Sequence, residues 1–506
     1  MARDLVKNYS TSKGDHIAVN HVSFSINPME CVGLIGQNGA GKSTIAKMLT
    51  GQTQITHGSV SKKAKILNFN LGNGLRDELS GRDNIIYKCL LLGCTKREIS
   101  AMCDDIIHFA ELEDVIDDPL RTFSSGMRAR LGFSIMVHQT FDILIIDEGL
   151  SVGDNKFIQK AFKKIESLKA QGKGILFISH SAAAMKKWCD SVIWLEEGYV
   201  REAGTPDMIV SDYESSEAKI YSKMFIPMER VETERETLFS KVKKYLKEQR
   251  ESMLVAFRIS RYSTKANYFN HKLSRVWEWL DPLVQLVVYY IIFSVLFHKV
   301  VPDFPAMPWM IFGLAGYTFV NQMCTTGANM IPRMYRSVVQ FRFHISALPL
   351  SAFFGFLPQV LVSIVFGAFL SIWSGYALNL YALQVFYYLV ALSIFGVSIS
   401  LFTATILIVF PDYRFFVNYS FRFLLHASGI IFSFDQFAVL PRWFVYLLTL
   451  NPLYFLARGF RDSFFSTNWF WQHGIDNLIF WGITLIILLI AISRYYHLQN
   501  RIGDLI

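Results

Sequence analysis

The residues best suited to chemistry lie at Gly36 to Ser43, GQNGAGKS. Glycines at this spacing let successive backbone N–H groups curve around phosphates, while a lysine and a hydroxyl at the end of the run reach phosphate and metal. Lys42 is read as the contact to the β- and γ-phosphates and Ser43 as a ligand of Mg²⁺, with Gly36, Gln37, Asn38, Gly39, Ala40, Gly41 and Thr44 completing the cradle. A Gly-rich structural turn is the plainer reading, and context decides against it, because the loop follows an apolar run and opens a helix. A second pair, Asp147 and Glu148, ends the apolar run FDILII. Asp147 is placed to hold the metal through water, and Glu148 to orient or deprotonate an attacking water. Two carboxylates at a strand end point to hydrolysis.

These residues need elements that hold them. Cys31 to Ile35 reads as a short buried strand, followed by the loop and then by an amphipathic helix from about Lys42. FDILIIDE, ending at Glu148, and GILFISH, ending at His180, are two further buried-strand patterns with helical stretches between them. Alternating strands and helices predict an α/β domain with a mainly parallel sheet. It should close near residue 215, after LEEGYVREAGTPDMIVSDY. Residues 216–255 carry mixed charge with few large apolar groups, as a solvated helical linker would.

Composition divides the chain there. Of its 506 residues, the first 255 hold 34 basic and 33 acidic side chains, and the remaining 251 hold 16 and 8. The first half reads as a soluble domain and residues 256–506 as an all-α transmembrane domain. Most of the net charge of +9 therefore falls in the apolar half, where Lys and Arg set topology, and a nucleic-acid partner is disfavoured. MARDLVKNYS has no apolar stretch resembling a signal peptide, so the soluble half is expected in the cytosol. Five of the six cysteines lie in that half without metal-motif spacing and read as reduced, packed thiols.

Segments near 282–300, 307–328, 350–371, 383–410, 414–433 and 475–493 are long enough to cross a bilayer, at about 20 residues each. Positive charge precedes the first span, and Arg333, Arg336 and Arg342 lie between the second and third. None lies in WSGYALNLY between the third and fourth, so both termini are expected inside. Arg442, Arg458 and Arg461 conflict with that rule, because they fall in the outer segment between the fifth and sixth spans. That segment, PRWFVYLLTLNPLYFLARGF, is too apolar for a loop and reads as a re-entrant helical pair. Asp281-Pro282 and Asn451-Pro452 read as helix starts, and Phe257 to Phe269 as an interfacial helix.

One stretch supports a family resemblance: FSSGMRARL, Phe123 to Leu131, resembles the signature motif of ABC transporter ATPases. The resemblance implies that Ser124, Ser125 and Gly126 meet the γ-phosphate of ATP held by a second subunit. It also implies that Asp154 lies in the D-loop, that His180 is the switch histidine, and that Tyr9 stacks on adenine. The family's glutamine between the phosphate loop and the signature is missing, with Asn70 in FNLGNGLRDELSGRDNI as a substitute. The LGNGL turn, the GMRARL signature, and the stretches Lys265 to Phe297 and Leu450 to Phe465 resemble bacterial teichoic acid and polysaccharide exporters of the ABC-2 type. That resemblance implies a fused half-transporter, ATPase first, which homodimerises in a bacterial cell membrane with its ATPase domains in the cytoplasm. The implied cofactors are ATP and Mg²⁺, and the implied cargo is a lipid-linked anionic polymer. An exporter of small hydrophobic drugs or lipids would share every ATPase residue. A membrane-anchored signalling ATPase is the third reading.

Overall fold

The computed structural model describes residues 1–11, 14–61, 64–69, 75–147, 155–179, 181–215, 237–268, 284, 287, 288, 290–292, 304–338, 344–431, 441–465, 468–499 and 502. It divides into two compact units. The first comprises Met1–Arg235, Tyr335–Phe343 and Asn500–Ile506, and the second Glu236–Met334 and His344–Gln499.

In the first unit the element order is β1 (Ala2–Thr11), β2 (Gly14–Phe24), β3 (Cys31–Ile35), α1 (Lys42–Leu49), β4 (His57–Val60) and β5 (Ile66–Phe69). Then come α2 (Gly81–Leu91), α3 (Lys96–Ala110), α4 (Ser125–Val137), β6 (Ile143–Asp147) and α5 (Asn155–Ala170). The unit continues with β7 (Gly174–Ile178), α6 (Ala182–Trp188), β8 (Ser191–Glu196), β9 (Tyr199–Gly204) and α7 (Pro206–Ser215). Six strands form one sheet in the order β5-β6-β7-β3-β8-β9, parallel except for the β8–β9 hairpin. The apolar runs that carry no alternation are its central strands, since a parallel sheet is covered on both faces; every residue of β3 and β7 is buried. The expected parallel sheet is therefore present. A second, antiparallel sheet, β2-β1-β4, covers it, and Leu5, Val19 and Val22 join Val32, Leu34, Ile45, Ile145 and Leu176 in one core.

The second unit is helical: α8 (Leu238–Tyr268), α9 (Ala306–Gln322), a π turn (Met323–Gly327), α10 (Ala328–Val338, of which the part from Tyr335 is grouped with the first unit) and α11 (Leu348–Trp373). It continues with α12 (Val385–Val409), α13 (Tyr413–Ala427), α14 (Arg442–Thr449), α15 (Pro452–Phe465) and α16 (Gly474–Leu498). The charged stretch ahead of residue 255 does not end a helix there; α8 runs through it unbroken to Tyr268. Among the described residues three helices are long and apolar enough to cross a bilayer, Ile345–Trp373, Leu380–Val409 and Gly474–Leu498. They coincide with the expected spans at 350–371, 383–410 and 475–493. The expected span at 307–328 falls on α9 and the π turn, and most of 282–300 lies outside the described residues. The span expected at 414–433 is shorter: α13 ends at Ala427, where Ser428 and left-handed Gly429 (φ +60°) break it.

Glycines set how closely these helices pack. A Cβ on Gly459 would lie 2.0 Å from the Tyr388 ring and one on Gly396 2.5 Å from the Phe319 ring, so α12 approaches α15 and α9 at backbone distance. The segment read as a re-entrant pair consists of two helices, α14 and α15. Asn451 caps the second by accepting from Leu453 N–H at 3.0 Å. Two of the three arginines that broke the positive-inside pattern there, Arg458 and Arg461, have partners. Arg458 pairs with Asp476 at 3.1 Å and with Asp462 at 3.5 Å. Arg461 is buried and donates to the carbonyls of Trp309 (3.0 Å), Gly429 (2.8 Å) and Ile430 (2.7 Å), tying α15 to the start of α9 and the end of α13. Neither charge faces the membrane alone.

Candidate nucleotide-binding site

β3 runs straight into the loop at Gly36, and the loop is held by backbone from two sides. At Gly41 (φ +99°) a Cβ would lie 2.4 Å from the Ala18 carbonyl oxygen, and at Gly36 one would lie 2.2 Å from that of Leu195. Both positions therefore require glycine. Behind the loop, Gly198 N–H donates to the Ala40 carbonyl (3.2 Å), and Asn20 N–H donates to the Gly198 carbonyl (2.8 Å). Gly198 belongs to the two-residue turn of the β8–β9 hairpin, in which Glu197 (φ +45°) and Gly198 (φ +86°) both adopt the left-handed conformation such turns need.

α1 starts from left-handed Gly41, which offers no capping side chain. Its first N–H groups thus remain for an anion, and the helix dipole favours one. Lys42 is buried, with Nζ donating to the carbonyls of Gly36 (2.6 Å) and Gln37 (2.9 Å), so its ammonium spans the hollow of the loop. Gln37, Asn38, Gly39 and Ser43 are exposed at the rim, Thr44 is half-buried and Ala40 is buried. This donor set, with one ammonium and a hydroxyl, fits a triphosphate and its Mg²⁺.

The parallel sheet brings Asp147 to the same edge. Asp147 at the end of β6 and Leu34 near the end of β3 both pair with Ile178 of the intervening β7. Two strand spacings separate them, about 10 Å of backbone. Glu148, Asp154, His180 and Asn70 lie outside the described residues. Tyr9 is partly exposed on β1, opposite His16 of β2, with Lys7 Nζ 4.7 Å from its ring centre.

Ser124 caps α4, its Oγ accepting from Met127 N–H at 3.2 Å, and Ser125 and Gly126 form the helix's first turn. A Cβ on Gly126 would meet only the Ser124 hydroxyl within 4 Å, so the turn is open to an approaching partner. α4 packs on α2 and α3 and takes no part in the core that contains α1. The two halves of the expected site are thus built by different parts of the domain.

Two residues to which the sequence alone assigns no role hold the signature region. Asn84, fully buried on α2, accepts from Arg76 N–H (2.7 Å) and donates to the carbonyls of Arg76 (2.9 Å), Leu79 (3.2 Å) and Ser80 (2.9 Å). Arg128 donates to Asp77 (2.7 Å) and to the Phe123 carbonyl (3.2 Å), fastening α4 to that loop. Burial also pushes the Lys88 ammonium, one turn along α2, down to about 8. The Cys89 thiol is pushed up, first by its hydrogen bond with Cys94 and then by burial. No signal in a single sequence separates such buried polar groups from surface ones.

Residues 19–151 match the family of ABC transporters and residues 256–465 the family of ABC-2 type transporters. The chain therefore carries an ABC ATP-binding domain followed by an ABC-2 type membrane domain. Over its ATPase half it is 47% identical across 213 residues to "Teichoic acids export ATP-binding protein TagH" of Lactococcus lactis subsp. lactis (strain IL1403), covering 42% of this chain and 46% of that one. It is 46% identical across 196 residues to the protein of the same name from Enterococcus faecalis (strain ATCC 700802 / V583), covering 39% and 44%. To "O-antigen export system ATP-binding protein RfbB" of Myxococcus xanthus it is 40% identical across 213 residues, covering 42% and 49%. The chain thus spans about half the length of the curated relatives it matches. A solved structure described as "Structure of ATP binding subunit of ABC transporter" aligns at 25% identity and a TM-score of 0.38, covering 42% of this chain and 92% of that one.

Proposed function

We propose that the chain is an ATP-driven half-transporter that homodimerises and exports a lipid-linked anionic polymer, a teichoic acid or related polysaccharide, across a bacterial plasma membrane. One observation carries this reading: a phosphate loop and a strand-end carboxylate share a sheet edge, in a chain whose other unit has helices of membrane-spanning length. The names of the relatives, teichoic acid and O-antigen export proteins, support the cargo class.

In this reading Gly36 to Thr44 bind the phosphates of ATP, Lys42 neutralises them, and Tyr9 stacks on the base. Ser43 and Asp147 would hold Mg²⁺, which when bound offsets phosphate charge and fixes the phosphate geometry. Glu148 takes the proton of the attacking water and His180 steadies the γ-phosphate. Ser124, Ser125 and Gly126 of a second copy complete each site, with Asp154 at the seam between the copies. Nucleotide then favours the closed pair and hydrolysis the open one, so two ligand states bias one movable element. Residues 1–215 form the cytoplasmic ATPase, 216–255 the connection and 256–506 the permease.

Depleting the protein tests the cargo. Polymer should fall on the cell surface and accumulate inside; unchanged surface polymer with normal growth of the glycan pool would exclude polymer export and leave the drug or lipid exporter.

A further inference from the structure

The end of α2 brings two thiols together. Gly93 is left-handed (φ +85°), its N–H donates to the Leu90 carbonyl at 3.0 Å, and the Cys94 N–H donates to the Cys89 carbonyl at 2.9 Å. These two bonds form a Schellman motif, in which the side chains at the ends of the longer bond pack on each other. An apolar pair ordinarily fills those places. Here both are cysteines, and their thiols hydrogen-bond. The Gln139 amide joins them: Cys94 Sγ donates to its Oε1 at 2.9 Å, and its Nε2 donates to Cys89 Sγ at 3.4 Å and to the Ile135 carbonyl at 3.0 Å. Gln139 is buried two residues beyond α4, on the stretch that joins this helix to β6. The pair is thereby tied to the helix that Ser124 caps.

The two thiols are not equivalent. Cys89 is fully buried, whereas Cys94 is half-buried and reachable from solvent. The hydrogen bond from Cys89 holds the Cys94 thiol below the ordinary cysteine range, and Lys65 adds to this against burial and Glu98. Cys103 on α3 is instead pushed up by burial. Cys31 and Cys189 also meet, but both are buried. A reachable thiol that ionises readily, touching a second thiol that is shielded, is the arrangement of an attacking and a resolving cysteine.

We infer that Cys89 and Cys94 are a dithiol pair that a hydroperoxide converts to a disulfide, slowing ATP hydrolysis until a thiol reductant restores it. The Cys94 thiolate attacks one peroxide oxygen: an S–O bond forms, the O–O bond breaks, and the departing alkoxide takes up the proton that Cys94 released. The Cys89 sulfur then attacks the Cys94 sulfur, the S–S bond forms, and hydroxide leaves with the Cys89 proton as water. The two thiols are oxidised and the hydroperoxide is reduced to an alcohol and water. A disulfide has no S–H to give, so the buried Gln139 Oε1 loses its donor and the end of α4 shifts to find another. The effect on hydrolysis rests on the role proposed above for Ser124, Ser125 and Gly126 at the other end of α4.

The test treats the purified full chain in detergent with tert-butyl hydroperoxide, follows hydrolysis, and maps the cysteines by alkylation and peptide mass. Cys89 and Cys94 should together lose two hydrogens and escape alkylation. Hydrolysis should fall by about fivefold or more, and dithiothreitol should restore both. Cys94→Ser, whose hydroxyl can still donate to Gln139, should keep the basal rate and ignore the peroxide, and Cys103→Ser should respond like the wild type. In Cys89→Ser the Cys94 sulfenic acid should persist and react with dimedone. The inference is overturned if peroxide slows Cys94→Ser equally, if it bridges Cys31 and Cys189 instead, or if Cys94 becomes a sulfinic acid while Cys89 stays a free thiol. A complete Cys89–Cys94 disulfide with hydrolysis unchanged also overturns it. Wild-type hydrolysis by Ser124→Arg would instead remove the proposed role of the signature and leave the dithiol chemistry standing.

Discussion

Lys42, whose ammonium bridges two carbonyl oxygens of its own loop, and Glu148, which follows Asp147 in the sequence, should have separable roles under the proposed function. Lys42→Ala should weaken ATP binding itself, seen as loss of nucleotide retention by purified protein. Glu148→Gln should keep binding and lower turnover by roughly 10²-fold or more; hydrolysis at the wild-type rate would remove Glu148 from the role. Lys88 gives a pH signature. Its folded value near 8 lies below the value of about 10.4 expected in the unfolded chain, so the folded state binds fewer protons between the two. The domain should therefore gain stability as pH rises from about 8 to about 10. Lys88→Met should raise the apparent Tm at pH 7 through relief on the order of 2–3 kcal/mol, and the gain should vanish near pH 10. A gain independent of pH would assign it to packing. At this scale the glycines of the phosphate loop were legible because their spacing is local and their chemistry specific. Asn84 was not, although its partners are only four to eight residues away, because nothing in the sequence marks an asparagine as buried.

The central strands β3, β6 and β7 stood out as short apolar runs, and so did the three long apolar helices, because continuous burial needs no partner to be recognised. The antiparallel sheet was not legible. Asp4 and His21 adopt positive φ, and the β1–β2 register shifts three times, which erases the alternation that marks a half-buried strand. α13 was read as an ordinary span because its apolar residues outnumber its charges. Helix contacts offer their own test. Gly459→Ala would press a methyl against the Tyr388 ring, so it should destabilise the second unit by about 1–3 kcal/mol, seen as a lower apparent Tm in detergent. Adding Tyr388→Leu should recover part of that loss, since the two changes share one contact; additive losses would show that the packing fault lies elsewhere.

For the whole molecule the decisive question is whether each site needs two chains. The loop and the signature occur once each and are built by different parts of one domain, so an isolated copy should not hydrolyse ATP. Mixing Lys42→Ala chains with Ser124→Arg chains should restore partial activity, because each mixed pair contains one site with both parts intact. Two inactive preparations that stay inactive on mixing, together with no ATP-dependent crosslink between cysteines placed at Gly41 and at Ser125 of the partner, would refute the shared site. Arg458 and Arg461 show how far a charge rule reaches at this scale. The rule counts charges by position in the chain, and the fold neutralises these two through Asp476, Asp462 and backbone carbonyls. Finally, the two units lie on one polypeptide. The ATP-binding domain and the membrane domain are then synthesised in equal number and cannot be diluted apart.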